Sequence, residues 1–161
     1  MKKMVLSLLV DNTSGVLSRV SAMFSRRGYN IDSLTVGVTE NPKYSRMTVA
    51  VLGDDRILSQ IKKQLLKLED VISITELKDG ESVCRELVLV KVKASLEERQ
   101  QIISMVDVFR AKVVDVSCDS LMIELTGNVN KIEAFIALLD GFHIEEMVRT
   151  GLTGLTRGNC Q

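Results

Sequence analysis

The sequence predicts an α+β protein of two tandem ferredoxin-like βαββαβ units, each a four-stranded sheet with two helices on one face. Three observations predict it. Stretches with apolar residues at period 2 and stretches at period 3.6 follow one another as strand, helix, strand, strand, helix, strand, and that order then recurs without obvious similarity of sequence. A polar break at Lys78 to Ser82 (KDGES), with its Asp-Gly pair, separates the two series and sets the expected domains at residues 1–78 and 83–161. The 161 residues are 45% hydrophobic, an ordinary globular proportion. Each half, at about 75 residues, is near the lower size for a stable isolated core, a weakness that association into a dimer relieves.

Met4 to Val10 is almost wholly apolar, as a central strand covered on both faces requires. Asp11 to Gly15 (DNTSG) follows as a tight loop. Its Asx and Ser/Thr side chains are able to cap a helix, and its glycine permits close backbone approach. Val16, Leu17, Val20, Met23 and Phe24 then share one helical face. Arg26 and Arg27 suit the negative end of the helix dipole, and Gly28 stands just past it. Free amides at the start of this helix, beside a small pocket, make the kind of place that takes a carboxylate. Asn30 opens the second strand, which runs to Val38; Asn41-Pro42 marks a hairpin loop, and Arg46 to Leu52 is the third strand. Asp54 and Asp55 suit the head of a helix carrying Ile57, Leu58, Ile61, Leu65 and Leu68, and Val71 to Leu77 closes the first unit.

In the second half, Arg85 to Ala94 alternates through Val88, Val90 and Val92. Ser95 and Glu98 have capping-box spacing ahead of Ile102, Val106 and Phe109. Lys112 to Ser117 and Leu121 to Thr126 form a hairpin around Cys118-Asp119-Ser120. Asn130 and Glu133 give a second box-like start to a helix with Ile132, Phe135, Ile136 and Leu139. Gly141 ends that helix, His143 to Thr150 is the last strand, and the tail Gly151 to Gly158 (GLTGLTRG) is extended or looped.

Composition excludes several functions. Lysine plus arginine equals aspartate plus glutamate at 21 each, so no net field favours nucleic acid or an anionic membrane. A βαββαβ sheet that presents single-stranded RNA needs aromatics on its central strands, and here aromatics are 4% of the chain. No apolar run reaches the length of a membrane span, and the Met-Lys-Lys start is followed by a strand-like block unlike a signal peptide. Cys84, Cys118 and Cys160 are odd in number and widely spaced. They suggest neither disulfides nor a metal site but small buried hydrophobes in a reducing cytoplasm. His143, the single histidine, lacks the acid and nucleophile of a catalytic group and reads as a packing or surface residue. Glu69-Asp70 is a loop pair, and GLTGLTRG lacks the lysine-hydroxyl ending of a phosphate loop. No catalytic residues are expected.

The stretch VDNTSGVLSRVSAMFSRRGYNIDSLTVG, continuing into SRMTVAV, closely resembles the regulatory (small) subunit family of acetolactate synthase, also called acetohydroxyacid synthase. The likeness continues through QIKKQLLKLEDV, RELVLVKVKA and FRAKVVDV to GLTGLTRG, and RRGYNI with SRMT are specific signatures. The looser pattern of Asn12, Gly15 and Asn30 is shared by amino-acid-sensing ACT domains in general. The resemblance implies that residues 1–78 are an ACT domain that pairs side by side with a second copy. By position, Asn12, Ser14, Gly15, Val16 and Leu17 would then receive an effector carboxylate, and Asn30 with Ile31 would lie at the subunit interface near its amino group. The implied effector is valine or a related branched-chain amino acid. The implied partner is a catalytic large subunit that carries thiamine diphosphate, Mg2+ and FAD, this chain binding no cofactor or metal itself. A stand-alone ACT module that controls another enzyme is the alternative, which the full-length likeness disfavours. A metabolite-responsive transcriptional regulator is disfavoured by neutral charge and the lack of a helix-turn-helix.

Overall fold

The computed structural model describes residues 1–158, which fall into two units. The first is built from β1 (Lys2–Asp11), α1 (Val16–Arg26), β2 (Ile31–Val38), β3 (Tyr44–Gly53), α2 (Asp55–Leu66) and β4 (Val71–Glu76). Its sheet runs β2-β3-β1-β4 and the neighbouring strands are antiparallel. Period-2 alternation aims Met4, Leu6, Leu8 and Val10 of β1, with Met47, Val49 and Val51 of β3, at the helices. There they meet Val16, Val20, Met23 and Phe24 of α1 and Leu58, Ile61 and Leu65 of α2, all buried. The opposite face pairs Ser7 with Thr48 and Val5 with Ala50, and Ser7, Thr48 and Ala50 are also buried. The near-continuous apolar run of β1 is thus a consequence of cover on both sides.

The second unit contains β5 (Ser82–Lys93, whose first residues belong to the first unit), α3 (Leu96–Phe109), β6 (Lys112–Val116), β7 (Ser120–Gly127), α4 (Val129–Leu139) and β8 (His143–Arg149). Its sheet runs β6-β7-β5-β8. Val88, Val90 and Val92 oppose Leu125, Ile123 and Leu121, and these pack under Ile102, Val106, Ile132, Phe135 and Leu139. Phe109 and Phe135 are in tilted contact at 5.3 Å between ring centroids. The two series of elements are the tandem ferredoxin-like units expected from the sequence.

Four expectations need correction. The cap of α4 is Asn128, whose side chain accepts from the Lys131 amide at 2.9 Å, so Asn130 lies inside the helix. Glu133, in turn, pairs with Arg149 at 2.8 Å. Cys118 is exposed and Cys84 half-buried, and Cys160 lies outside the described residues. The tail, assigned with residues 83–161, forms a strand β9 (Thr153–Thr156), and residues 152–158 group with the first unit.

Candidate effector site

The loop between β1 and α1 is held at its start by two backbone bonds. Asp11 N–H donates to Asp70 O at 2.9 Å, and Asn12 N–H donates to Lys43 O at 2.8 Å. The Asn12 side chain donates from Nδ2 to Pro42 O at 2.9 Å, so it ties this loop to the β2–β3 hairpin. Ser14 is exposed and makes no cap. The helix begins instead at Gly15, whose φ of 85° is left-handed and natural to glycine, and no side chain bonds the first-turn amides. This corrects the expectation that an Asx or Ser/Thr side chain caps α1. The other three helices are capped: Asp54 accepts from Ile57 N–H at 2.8 Å, Ser95 from Glu98 N–H at 3.3 Å, and Asn128 as above. First-turn amides have no partner within a helix. At α1 they stay open to an outside acceptor, with the positive end of the helix dipole behind them.

Val16 and Leu17 divide their roles. The Val16 side chain is buried in the core, which leaves only its backbone for a ligand, while Leu17 is 45% exposed beside the loop. Two residues that sequence reasoning missed complete the loop. Arg19 Nε bonds Asp70 Oδ2 at 2.5 Å, and its Nη2 lies 3.5 Å from Ser14 O. The bond to Asp70, against a smaller desolvation effect, raises the Arg19 pKa and keeps it charged. A Cβ at Gly15 would stand 2.8 Å from Arg19 Nη1. The φ is what requires glycine here, since the guanidinium is the far end of a flexible side chain and can give way. The four-residue step from Gly15 to Arg19 is a sequence signal for that contact; Asp70, fifty-one residues from Arg19, gives none.

Asn30 and Ile31 are elsewhere. Ile31 is opposite Val51, which is opposite Met4, whereas the Asn12 loop follows Asp11 at the far end of the same strand. Seven residues of β1 separate the two levels, about 23 Å at the rise of a strand. The 11 residues of α1 span about 16 Å in the same direction. One small ligand cannot touch both places within one chain. Asn30 is exposed just before β2, and Ile31 packs at the margin of the core.

A surface pocket of about 260 Å³ lies near the head of β1 and includes none of these residues. Its ionic groups are paired, Lys2 with Asp55 at 3.0 Å and Lys62 with Glu76 at 2.5 Å. Among the described residues no three His, Cys, Asp or Glu side chains are grouped to hold a metal, and no helix is long and apolar enough to cross a membrane. His143 is exposed.

Two family models match the chain: an AHAS small subunit-like ACT domain over residues 6–73, and the small subunit of acetolactate synthase over residues 85–158. A probable acetolactate synthase small subunit from Methanothermobacter thermautotrophicus is 49% identical over 156 residues, covering 96% of this chain and 93% of that protein. The acetolactate synthase isozyme 3 small subunit of Salmonella typhimurium is 46% identical, with 96% of each chain covered. The crystal structure of the acetolactate synthase small subunit from Thermotoga maritima superposes with a TM-score of 0.91 at 41% identity, over 99% of this chain and 100% of that one. With the ACT topology in the first unit and both halves matched over their lengths, the chain belongs to the acetolactate synthase small-subunit family.

Proposed function

We propose that this chain is the non-catalytic regulatory subunit of an acetolactate synthase in the cytoplasm. It binds and activates a separate catalytic large subunit and makes that subunit sensitive to valine or a related branched-chain amino acid. Thiamine diphosphate, Mg2+ and FAD serve the large subunit, which joins two pyruvates, or pyruvate and 2-oxobutyrate, with loss of CO2. The observation that carries the effector reading is the uncapped start of α1 at Gly15, where the backbone offers amides and a dipole to a carboxylate.

The separation of Asn30 from that loop supports a homodimer. β2 is an edge strand, and its Val36 and Val38 are 46% and 62% exposed. An antiparallel, twofold pairing of two such edges places the head of one β2, with Asn30 and Ile31, beside the tail end of the other. That tail end lies level with the Asn12–Leu17 loop, since Val38 opposes Ser45 and Ser45 opposes Val10. The effector then has its carboxylate on the loop of one protomer and its amino group near Asn30 of its partner. An aliphatic side chain asks only for a small apolar pocket, which Leu17 and Ile31 can line.

Reconstitution tests the proposal. Added to its catalytic subunit, the chain should raise acetolactate formation and render it inhibitable by valine, leucine or isoleucine in a titration. A chain that neither co-elutes with the large subunit nor changes its rate would contradict the reading.

A further inference from the structure

The tail GLTGLTRG has a place in the first unit that neither a phosphate loop nor a loose end explains. The helix-free face of β2 presents Ser33 and Thr35, opposite Ala50 and Thr48. One residue takes both hydroxyls. Leu152 N–H donates to Ser33 Oγ at 3.4 Å, and Thr35 Oγ1 donates to Leu152 O at 3.1 Å. The Leu152 side chain is 5% exposed. Strand alternation then turns Thr153 out and Gly154 in. A Cβ at Gly154 would stand 2.6 Å from Cys84 Sγ, 2.9 Å from Leu77 Cδ1 and 2.9 Å from Val83 O, so no side chain fits. β9 pairs with β5, and Arg157 N–H donates to Glu81 O at 2.8 Å. The glycine and the first leucine of the motif are thus required by close approach and burial.

We infer that residues 152–158 are a strap that fixes β2, and that docking of the strap is coupled to occupancy of the effector site at the head of that strand. Among the described residues of one protomer β2 has a single neighbouring strand, β3, and its register shifts between Ile31 and Ser33, immediately before the strapped hydroxyls. Without the strap, that irregular segment is held within its own protomer by β3 alone, the partner's β2 edge in the proposed dimer being its only other support. Leu152 and Leu77 are outside the core cluster beneath α1 and α2, so release of the strap leaves that core in place. A ligand that orders Asn30 and Ile31 favours the docked strap, and by linkage the docked strap favours the ligand to the same degree. The coupling rests on the effector reading; the strap itself does not.

Hydrogen exchange on the full chain separates the two. The comparison is between the parent, Gly154→Val, which leaves the chain length unchanged, and a chain ending at residue 151. Without valine, both variants should exchange the β2 amides about ten- to a hundredfold faster, the scale set by burial of one leucine. Amides of α1 and α2 should be unchanged, which also shows that the variants are folded. With valine, the amides of residues 152–156 in the parent should slow, and both variants should bind valine at least about fivefold more weakly by calorimetry. Unaltered β2 exchange in both folded variants overturns the strap. Faster β2 exchange with parental valine affinity overturns the coupling. A parent that binds no valine overturns the effector reading and the coupling with it, while β2 exchange still decides the strap.

Discussion

In the first unit the chain leaves β1 at Asp11 and takes Asn12 to Gly15 to reach α1, whereas in the second it leaves β5 at Lys93 and needs only Ala94 and Ser95 to reach α3. The short step ends in a serine that caps its helix, the long one in a glycine that does not. The units differ also in how they are braced. Glu86, 5% exposed, accepts from Arg149 Nε at 2.6 Å and Nη2 at 3.1 Å, and Glu133 accepts from the same guanidinium at 2.8 Å. The Glu86 bond is the main cause that raises the Arg149 pKa, against desolvation. In the first unit the corresponding ionic contacts, such as Lys62 with Glu76, are about one-third exposed on both sides. One topology is finished in two ways: the first unit leaves the start of α1 without a side-chain cap, and the second caps both of its helices.

The largest expected effect breaks the brace. Arg149→Met strands a buried Glu86 carboxylate, and loss of one partner of a buried pair costs about 3–5 kcal/mol. Urea denaturation should show that loss, while valine binding by the folded fraction stays near the parent's. Next is Gly15→Asp. A new carboxylate roughly 4 Å from the effector carboxylate repels it by about 4 kcal/mol at an effective dielectric near 20. Arg19, beside the new Cβ, offsets part of this. Half of the repulsion still weakens valine binding roughly 30-fold. An inhibition curve on the reconstituted enzyme checks it, with activity retained. Asn30→Ala follows: loss of a hydrogen bond to a charged ammonium costs about 1.5–3 kcal/mol of effector affinity, with no change in Tm. The smallest effect is Ser95→Ala, which removes a cap worth about 1 kcal/mol from the second unit. Thermal melts should move slightly and valine inhibition not at all.

The parts of this architecture that are written locally were readable from the sequence. Val88, Val90 and Val92 announce a strand by their own spacing, and Ser95 announces a helix three residues before the amide it caps. Asn128 and Asn130 show the limit of that logic, since both stand where a cap belongs. The choice follows from β7 ending at Gly127, so close to the helix that a Cβ there would meet Lys131 Cδ at 2.7 Å. Contacts between distant segments left no local trace. Asp70 anchors Arg19 over Gly15, and Leu152 reaches Ser33 across more than a hundred residues. The pattern of Asn12, Gly15 and Asn30 marked the candidate residues, but the sheet register shows that they stand at opposite ends of one protomer.

In the proposed function the uncapped start of α1 receives the effector carboxylate and the capped start of α3 does not. A valine titration of the isotopically labelled full chain, followed by amide chemical shifts, tests this directly. Saturable shifts are expected at Gly15, Val16 and Leu17, with a second set near Asn30 and Ile31 from the partner protomer, and none at Leu96 to Glu98. Saturable binding that moves the α3 amides and leaves Gly15 to Leu17 in place would contradict it.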